Sequence, residues 1–382
     1  MMKRILRIAV ISILFASIPL RVFALPEDES TLSGELTMIM VGDMLMHDSV
    51  VRSGLQEDGS YCYDHLFAHV KDTVESADIA LVNQETILGG KELKYSGYPT
   101  FNSPFELGDA EIKAGFDVIL QGTNHALDRG ALGIERCLEY WDITHPEAVI
   151  TGIHDSAEDQ EKLRIVEEGG IKIAILNYTY GTNGIQMPKG KGYLVDYLDE
   201  ERVKSDLARA ESLADFTVVC PHWGIEYRLT SSADQERWAA FFVENGADLV
   251  IGTHPHVIEP VEILEREDGK EVPVYYSLGN FVNSTSGKGS GVMNRSVGGM
   301  ALVTLVKNPD GAVLVKEASV KPLICHRTDE EITVFFLEDY TEELSLKNRI
   351  KSRDSSFSLK ACLDLVSRVW PELNISLLKE VP

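Results

Sequence analysis

Short apolar runs alternate with amphipathic segments along most of the chain. The apolar runs are rich in Val, Ile and Leu, which is typical of strands buried on both faces. They predict strands at residues 36–41, 79–82, 118–120, 148–150, 171–176, 216–220, 249–251, 274–282, 299–306 and 312–320. Helical spacing predicts helices at residues 63–76, 107–114, 131–141, 199–214 and 232–245. Strands that alternate with helices predict an α/β fold.

The last part of the chain has a different pattern. From residue 329 onward it is acidic, and its apolar positions have helical spacing at residues 339–350 and 358–370. We therefore expect a C-terminal helical appendage to the α/β domain.

Residues that can bind a metal follow several of the predicted strands. They are Asp43, Glu85, Asn124, His125, His222, His254 and His256. In α/β folds, the loops at the carboxyl ends of the strands usually form the binding site. The sequence therefore predicts that these side chains lie close together.

The two histidines of the stretch 252–256 are one residue apart. Gly252 allows a sharp turn after the strand, and Pro255 fixes φ between the histidines. In an extended loop, residues i and i+2 point the same way, so His254 and His256 would converge on one metal or on two adjacent metals. The alternative is a loop with solvated imidazole rings, because histidine is also an ordinary loop residue.

The two carboxylates each have two interpretations. Asp43 is a hard oxygen donor for divalent metals, or the N-cap of the next helix. Glu85 is suited to bridge two metals about 3.5–4 Å apart, or lies on the surface after its strand. His47 is a candidate metal or substrate contact, or an exposed loop residue. Asn83 lies on the same side of its strand as Glu85.

Asn124 can give its carbonyl oxygen to a metal. His125 would then stand beside the metal as a general acid or as a contact to a negative oxygen. Asp128 is placed to orient His125 or to cap the following helix. His222 is a ligand or a satisfied core histidine, and its position at a strand end favours a ligand. Further along, Asn280 and Arg295 are candidate contacts to an anionic substrate, or a turn residue and a surface residue.

The composition limits the partners and the chemistry. The 382 residues are 44% hydrophobic and 25% charged, as in globular proteins. The net charge of −24 should repel nucleic acid and anionic membrane surfaces, so we expect no nucleic-acid partner. An anion would bind only at a metal or a basic pocket that reverses this field. The five scattered cysteines form no disulfide framework or zinc motif, and motifs for a serine hydrolase, a phosphate loop or a dinucleotide site are absent.

The N-terminal residues 1–24 have the pattern of a signal peptide. Basic residues precede an apolar run at 8–20, and small side chains at Val22 and Ala24 fit a cleavage site after Ala24. The alternative is an uncleaved anchor, although the run is shorter than the ~20 residues that a span needs. We expect a secreted or extracytoplasmic protein, with residues 25–35 as a polar leader.

The chain resembles the CapA family of capsule and poly-γ-glutamate synthesis proteins. The matching motifs lie at residues 41–43, 83–85, 124–130, 222–227, 252–256 and 277–281. Their number and order make the match specific. We place the CapA-type domain at residues 36–325 and a C-terminal helical extension at residues 326–382.

The CapA family is similar in turn to calcineurin-like metallophosphoesterases. This resemblance implies a four-layer α-β-β-α sandwich, with two sheets packed between helices, and one or two divalent ions (Mn, Zn, Fe or Mg). It also implies catalysis by His125 with Asp128, and it implies metal ligation by Asp43, Glu85, Asn124, His222, His254 and His256. The candidate substrate contacts are His47, Asn83, Asn280 and Arg295.

Two features depart from the phosphoesterase pattern. The first motif is Gly42-Asp43 with His47 further on, rather than Asp-x-His, and the second carboxylate is Glu85 where phosphoesterases use Asp. One longer side chain moves a bridging oxygen by about one C–C bond, and catalytic sites tolerate little misplacement. These two departures would be consistent with a site that binds one metal, or with hydrolysis of a bond other than a phosphoester.

Three functions remain open from the sequence. The first is a secreted or surface-attached CapA-type protein of capsule or poly-γ-glutamate biosynthesis or export, which would work with membrane-bound synthesis or export proteins. The second is an active metal-dependent hydrolase of a phosphoester or amide bond in an extracellular substrate. The third is a non-catalytic module that binds the anionic polymer or helps assembly.

Overall fold

The computed structural model describes residues 19–22 and 33–371. Within these ranges the chain forms two β-sheets. The strands in chain order are β1 (Pro19–Val22), β2 (Ser33–Met44), β3 (Ile79–Asn83), β4 (Val118–Leu120), β5 (Val149–Thr151), β6 (Arg164–Glu168), β7 (Ile171–Thr179), β8 (Phe216–His222), β9 (Leu249–Ile251), β10 (Val261–Glu265), β11 (Glu271–Tyr275), β12 (Asn280–Val282), β13 (Val297–Lys307), β14 (Val313–Arg327) and β15 (Ile332–Phe336).

The α-helices lie mainly between the parallel strands, as the alternating pattern predicted. In the described part of the chain they are α1 (Asp48–Ser53), α2 (Lys71–Glu75), α3 (Glu106–Ala114), α4 (Gly130–Thr144), α5 (Ala157–Gln160), α6 (Glu200–Leu213), α7 (Ala233–Glu244), α8 (Glu342–Lys347) and α9 (Leu359–Val369). Ser232 is the N-cap of α7: its hydroxyl accepts from the Gln235 amide in a capping box. None of the helices in the described ranges is long and apolar enough to cross a membrane.

The nine-stranded sheet has the order β1-β14-β13-β2-β3-β4-β5, with β12 beside β2 and β15 beside β14. The six-stranded sheet has the order β10-β11-β9-β8-β7-β6. Strands β2 to β5 run parallel to one another, and so do β7, β8, β9 and β11. Each sheet therefore has an edge at which several carboxyl ends meet.

Alternate side chains of the central strands pack on opposite faces of each sheet. Met38 of β2 joins Ile173 of β7 and Leu249 of β9 in the core between the sheets. The neighbouring Ile39 faces the other way and packs with Ile134 of α4. This period of two is what strands buried on both faces require.

The outer face of the six-stranded sheet is covered in the same way. Val219 of β8 packs with Leu207 of α6 and Phe242 of α7. The layer order is thus helix, sheet, sheet, helix, which confirms the four-layer architecture that the resemblance implied.

Residues 274–282 were predicted as one strand, but the structure divides them between the two sheets. Strand β11 ends at Tyr275 in the six-stranded sheet, and β12 begins at Asn280 in the nine-stranded sheet. At the crossing, Gly279 passes so close to Gly42 that a Cβ on Gly42 would lie 1.9 Å from the Gly279 carbonyl oxygen. The crossing brings the two sheets together beside Asp43, whose N–H donates to that oxygen at 2.9 Å.

The predicted helix at residues 63–76 is interrupted. A 3-10 turn (Asp64–Leu66) is followed by α2 at Lys71–Glu75. The Thr333 hydroxyl of β15 donates to the His65 carbonyl at 2.6 Å, so a tertiary partner takes a carbonyl that a continuous helix would use.

The C-terminal segment begins with a strand, where the pattern had predicted helix. Strand β15 pairs antiparallel with β14, and the predicted domain boundary after residue 325 falls inside β14. Helices α8 and α9 follow, and Trp370 donates its indole N–H to the Glu259 carbonyl at 2.8 Å. The side chains of α9 complete the core between the sheets.

The predicted signal peptide lies mostly outside the described residues. Pro19–Val22 is described and pairs antiparallel with β14 as β1. Cleavage after Ala24 would remove this strand. A cleaved chain and a chain that retains β1 can therefore be distinguished by experiment. Cleavage itself stays a prediction.

Candidate metal centre

The predicted site residues come from the carboxyl ends of strands in both sheets. Asp43 lies near the end of β2 and pairs in register with Asn83 at the end of β3. His222 ends β8, and His254 and His256 follow β9. All five side chains are buried, because the two sheet edges meet at this point.

Two groups of possible ligand atoms share Glu85. One consists of Glu85, His222 and His254, and the other of Asp43, Glu85 and His256, with the ligand atoms of each group within 4.8 Å of one another. A carboxylate common to two ligand groups is the arrangement that a pair of bridged divalent ions requires.

Three histidine nitrogens converge on one oxygen of Glu85. Nε2 of His256 lies 3.7 Å from Glu85 Oε1, Nε2 of His222 lies 3.8 Å away, and Nε2 of His125 lies 3.9 Å away. These separations are too long for hydrogen bonds. They place imidazole nitrogens and a carboxylate oxygen around a common space.

Several buried atoms at the centre have no hydrogen-bond partner among the described residues. They are both carboxylate oxygens of Glu85, Oδ1 of Asn83 and Nδ1 of His254. Buried polar atoms in proteins are nearly always paired, so a cluster of exceptions needs an explanation. Carboxylate oxygens with imidazole nitrogens are ligands for Zn, Mn and Fe, and the residues therefore fit a divalent metal.

Asp43 is held by three partners. Its Oδ1 accepts from Asn83 Nδ2 at 2.9 Å and from the His254 N–H at 3.3 Å, and its Oδ2 accepts from His256 Nδ1 at 2.9 Å. Burial opposes the charged form of His256, but Glu85 and Asp43 outweigh it and raise the pKa of His256 to about 9. A metal ligand must be unprotonated, so a bound metal would compete with this proton.

His222 and His254 are neutral in this environment. Burial, together with the neighbouring histidines, lowers the pKa of both imidazoles well below the ordinary value. His222 Nδ1 lies 3.0 Å from Thr253 Oγ1, which leaves its Nε2 facing Glu85 and 3.0 Å from Asn124 Oδ1. A hydroxyl that contacts one ring nitrogen of a histidine fixes the orientation of the other nitrogen, which can bind a metal.

His254 and His256 each join one of the two ligand groups that share Glu85, but the backbone that brings them there is not extended, so that part of the prediction was wrong. His254 has φ +99° and His256 has φ +58°. Such backbone is uncommon for residues with a Cβ and is found where surrounding contacts enforce it. Gly252 is required by close approach, since a Cβ there would lie 2.3 Å from the Tyr276 carbonyl oxygen.

His125 is positioned by Asp128. Its Nδ1 lies 2.7 Å from Asp128 Oδ2, which also accepts from the Phe101 N–H at 2.6 Å. The imidazole therefore directs Nε2 toward Glu85. Asp128 does not cap the following helix, since α4 has no side-chain cap at its N-terminus.

The four predicted substrate contacts lie in different places. Asn83 is bonded to Asp43, while Asn280 donates to the His256 carbonyl at 3.0 Å and to the Arg295 carbonyl at 2.8 Å. His47 belongs to neither ligand group and, with Arg295, lines a pocket that begins at His256. The Arg295 guanidinium lies 3.5 Å from the centre of the Tyr227 ring.

The sequence interpretation missed two residues that the loop after β7 brings to the centre. The Tyr180 ring lies 4.6 Å from that of His254, and Asn183 Oδ1 accepts from Asn124 Nδ2 at 3.3 Å. Strand β7 ends at the same sheet edge as β8, so the rule that found His222 would have found this loop too.

The fold and the site define a class: an α-β-β-α protein with a candidate centre for divalent metal at the shared edge of its two sheets. The family model described as "Bacterial capsule synthesis protein PGA_cap" matches residues 37–285. The chain belongs to this family.

Two curated relatives carry related names. "Capsule biosynthesis protein CapA" of Bacillus anthracis is 28% identical over 258 residues, which are 65% of this chain and 60% of that protein. "PGA biosynthesis protein CapA" of Bacillus subtilis (strain 168) is 26% identical over 261 residues, which are 65% of this chain and 63% of that protein. The match thus spans less than two thirds of the length of these relatives.

Two solved structures are similar at lower identity. The 5'-nucleotidase precursor from Thermus thermophilus is 13% identical with a TM-score of 0.46, and the match covers 91% of this chain and 60% of that one. The NAD nucleotidase NadN of Haemophilus influenzae is 11% identical with a TM-score of 0.46, covering 89% of this chain and 60% of that one.

Proposed function

We propose that this protein is a metal-dependent hydrolase that acts on an anionic polymer, or on a precursor of it, during the synthesis or export of a capsule. The observation that carries the hydrolase part is the sharing of Glu85 by two groups of ligand atoms, beside a histidine that is not needed as a ligand. The names of the relatives support the capsule part.

The donor set suits one or two divalent ions. Asp43 and His256 would hold one, His222 and His254 a second, with Glu85 between them and the Asn124 carbonyl beside His222. When bound, such an ion polarises the scissile bond and makes hydroxide available near neutral pH.

His125 would supply the proton that the leaving group needs. Its Nδ1 faces the Asp128 carboxylate, which stabilises the protonated ring and fixes the direction of Nε2. That nitrogen faces Glu85 at the centre and can therefore reach a leaving atom there. The Phe101 N–H holds the Asp128 carboxylate in place.

An anionic polymer is the substrate class that we favour. The pocket that begins at His256 contains Arg295, whose guanidinium suits carboxylate or phosphate oxygens. Glu226 also lines it, and the amides of Asn280 and Asn283 donate to backbone carbonyls. We also propose that the protein acts outside the cytoplasmic membrane, on the basis of the basic and apolar pattern of its first 24 residues. N-terminal sequencing of the exported protein tests this.

The hydrolase is tested by turnover of the metal-loaded protein on a generic phosphoester and on a γ-linked glutamate polymer. We expect His125→Ala to lower kcat by about 10²–10⁴-fold while the metal content stays at the wild-type level. Asp128→Asn should lower it less. Bound metal without turnover of either substrate would contradict the hydrolase and favour a module that only binds the polymer.

A further inference from the structure

A cleft lined by arginines lies beside the metal centre, on the side of the C-terminal segment. It is a shallow cleft that opens to solvent and encloses only about 10 Å³, so a ligand would lie across its mouth. It is lined by Arg327, Arg349 and Arg353 together with Asn283, Thr285 and Asn348. None of the described residues that line it is a carboxylate. We call it the arginine cleft.

The arginine cleft is unusual for this chain. There are 60 Asp and Glu residues against 36 Lys and Arg, so most cations should find a carboxylate partner. Arg327 is half-buried and has no hydrogen bond or ion pair with another side chain in the part of the chain that the structure describes. Burial, with the positive charges of Arg349, Arg353 and Arg52, lowers the pKa of Arg327.

The other two arginines are only lightly engaged. Arg349 pairs with Asp329, but these side chains are 48% and 77% exposed, and such pairs contribute little. Arg353 donates to the Ser286 carbonyl at 3.3 Å. Most of the guanidinium donors in the arginine cleft are therefore free to bind a ligand.

The arginine cleft adjoins the pocket at the metal centre. Asn283 and Thr285 line both, and Arg295 Nη1 donates to Thr285 Oγ1 at 2.9 Å between them. An extended ligand that contacts both His256 and Arg327 would have to lie over these two residues.

We propose that the arginine cleft is a binding site for an oxyanion, a carboxylate or a phosphate, on the same anionic ligand that reaches the metal centre. Guanidinium groups match the paired oxygens of both anions. The identity of the ligand rests on the proposed function, whereas the existence of the site does not. A concave cleft fits a chain of separate anions better than a flat bilayer, and the net charge of −24 opposes docking on an anionic membrane.

The test is equilibrium binding of a short γ-linked glutamate oligomer and of inorganic phosphate to the full chain at low salt. We expect Arg327→Gln and Arg353→Gln each to weaken binding of the oligomer about tenfold or more. The matched control is Arg237→Gln, which removes the same charge from an exposed position on α7 and should change binding less than twofold. Cleft variants that bind like this control would overturn the proposal.

Competition between phosphate and the oligomer shows whether a free anion and the anionic groups of a polymer bind at the same place. We expect it to compete with the oligomer, since both need Arg327. Binding of the protein to phosphatidylglycerol vesicles, without binding of the oligomer or of phosphate, would overturn the proposal in favour of a membrane surface.

Thermal unfolding shows whether a variant that fails to bind the anion is still folded. Because Arg327→Gln relieves repulsion among like charges, its Tm without anions should equal or exceed that of the wild type. Phosphate should raise the Tm of the wild type more than that of the variant, because only a state that binds the anion is stabilised by it. An equal rise in both would contradict the proposal.

Asp43→Asn separates this site from the hydrolase. The arginine cleft does not include Asp43, so in protein freed of metal with EDTA we expect the variant to bind phosphate as the metal-free wild type does, even when its turnover with metal restored is lost. If phosphate binding is lost in Asp43→Asn and kept in Arg327→Gln, the arginine cleft is not the site, and the proposed hydrolase is unaffected.

Discussion

Glu85 and Glu111 are two fully buried carboxylates with opposite surroundings. Neither has a hydrogen-bond partner for its side-chain oxygens among the described residues, and burial raises the pKa of both well above the ordinary value. Glu85 faces three histidine nitrogens at 3.7–3.9 Å. Glu111 lies on the buried face of α3 and belongs to neither group of potential metal ligands.

The difference teaches that an unpaired buried carboxylate does not by itself indicate a metal. Burial alone accounts for Glu111, which is stable as a neutral acid inside the helix layer. At Glu85 the charge of Asp43 adds to burial while His256 opposes both, so several titratable groups compete for the same space. Convergence of ligand atoms is therefore the informative observation.

The largest effect should come from removing the charge of Glu85. We expect Glu85→Gln to lower metal affinity by at least about 100-fold, because the residue is common to both ligand groups. The measurement is metal content after dialysis against a defined free-metal concentration.

Glu111→Gln is the matched control, since it makes the same change at an equally buried position. It should retain the metal at wild-type stoichiometry. If Glu85→Gln and Glu111→Gln lose metal equally, the loss at Glu85 reflects a folding defect rather than the removal of a ligand.

The sequence was sufficient to predict the α/β class and most of the residues that meet at the centre, but not Tyr180 and Asn183. Apolar runs are visible to inspection, and a residue such as His222 is marked by its position directly after one. Parallel strands then bring such residues to one edge regardless of their separation along the chain.

Other features depend on tertiary contacts that leave no local pattern. The positive φ of His254 follows from packing between two sheets, and the strand at 332–336 forms because β14 offers it an edge. The arginine cleft joins Arg327, Arg349 and Arg353 with Asn283 and Thr285, which lie more distantly in the sequence. No periodicity connects these positions.

The second prediction concerns the core carboxylate. Glu111→Met removes a buried acid and keeps the chain length, so we expect the free energy of unfolding to rise by about 2–3 kcal/mol at pH 8. A raised native pKa means that stability is lost as pH increases above the ordinary value, so the gain should be smaller at pH 5. Urea unfolding at the two pH values measures it, and a stability loss in Glu111→Met would contradict this account of the carboxylate.

The third prediction tests the length of the shared carboxylate. Glu85→Asp keeps the charge but withdraws the oxygens by about one C–C bond, so metal affinity should fall about tenfold, or roughly 1.4 kcal/mol. Isothermal titration with Mn²⁺ and Zn²⁺ measures this. Unchanged affinity would mean that the centre adjusts to the shorter side chain. The presence of Glu85 in place of the Asp of phosphoesterases would then have no effect on metal binding.

The last prediction concerns Glu259, which lies between the two extremes. It is buried, and its Oε2 accepts from Gln235 Nε2 at 2.6 Å while its Oε1 has no partner among the described residues. Burial raises its pKa to about 8, although Gln235 and Arg228 oppose the shift. The native carboxyl therefore keeps its proton where the unfolded chain has lost it, and the stability of the wild type falls as pH rises from about 4.5 through about 8.

Glu259→Gln removes this titration and keeps an oxygen for Gln235. Relative to the wild type, the variant should gain up to about 4 kcal/mol of stability between pH 5 and pH 9, because over this range the wild type must ionise a buried acid and the variant has none. Urea midpoints at both pH values give the difference, with Glu265→Gln as an exposed control on β10. A gain that is the same at pH 5 and pH 9 would mean that Glu259 is already ionised in the native protein, and that one hydrogen bond suffices to hold a buried carboxylate here.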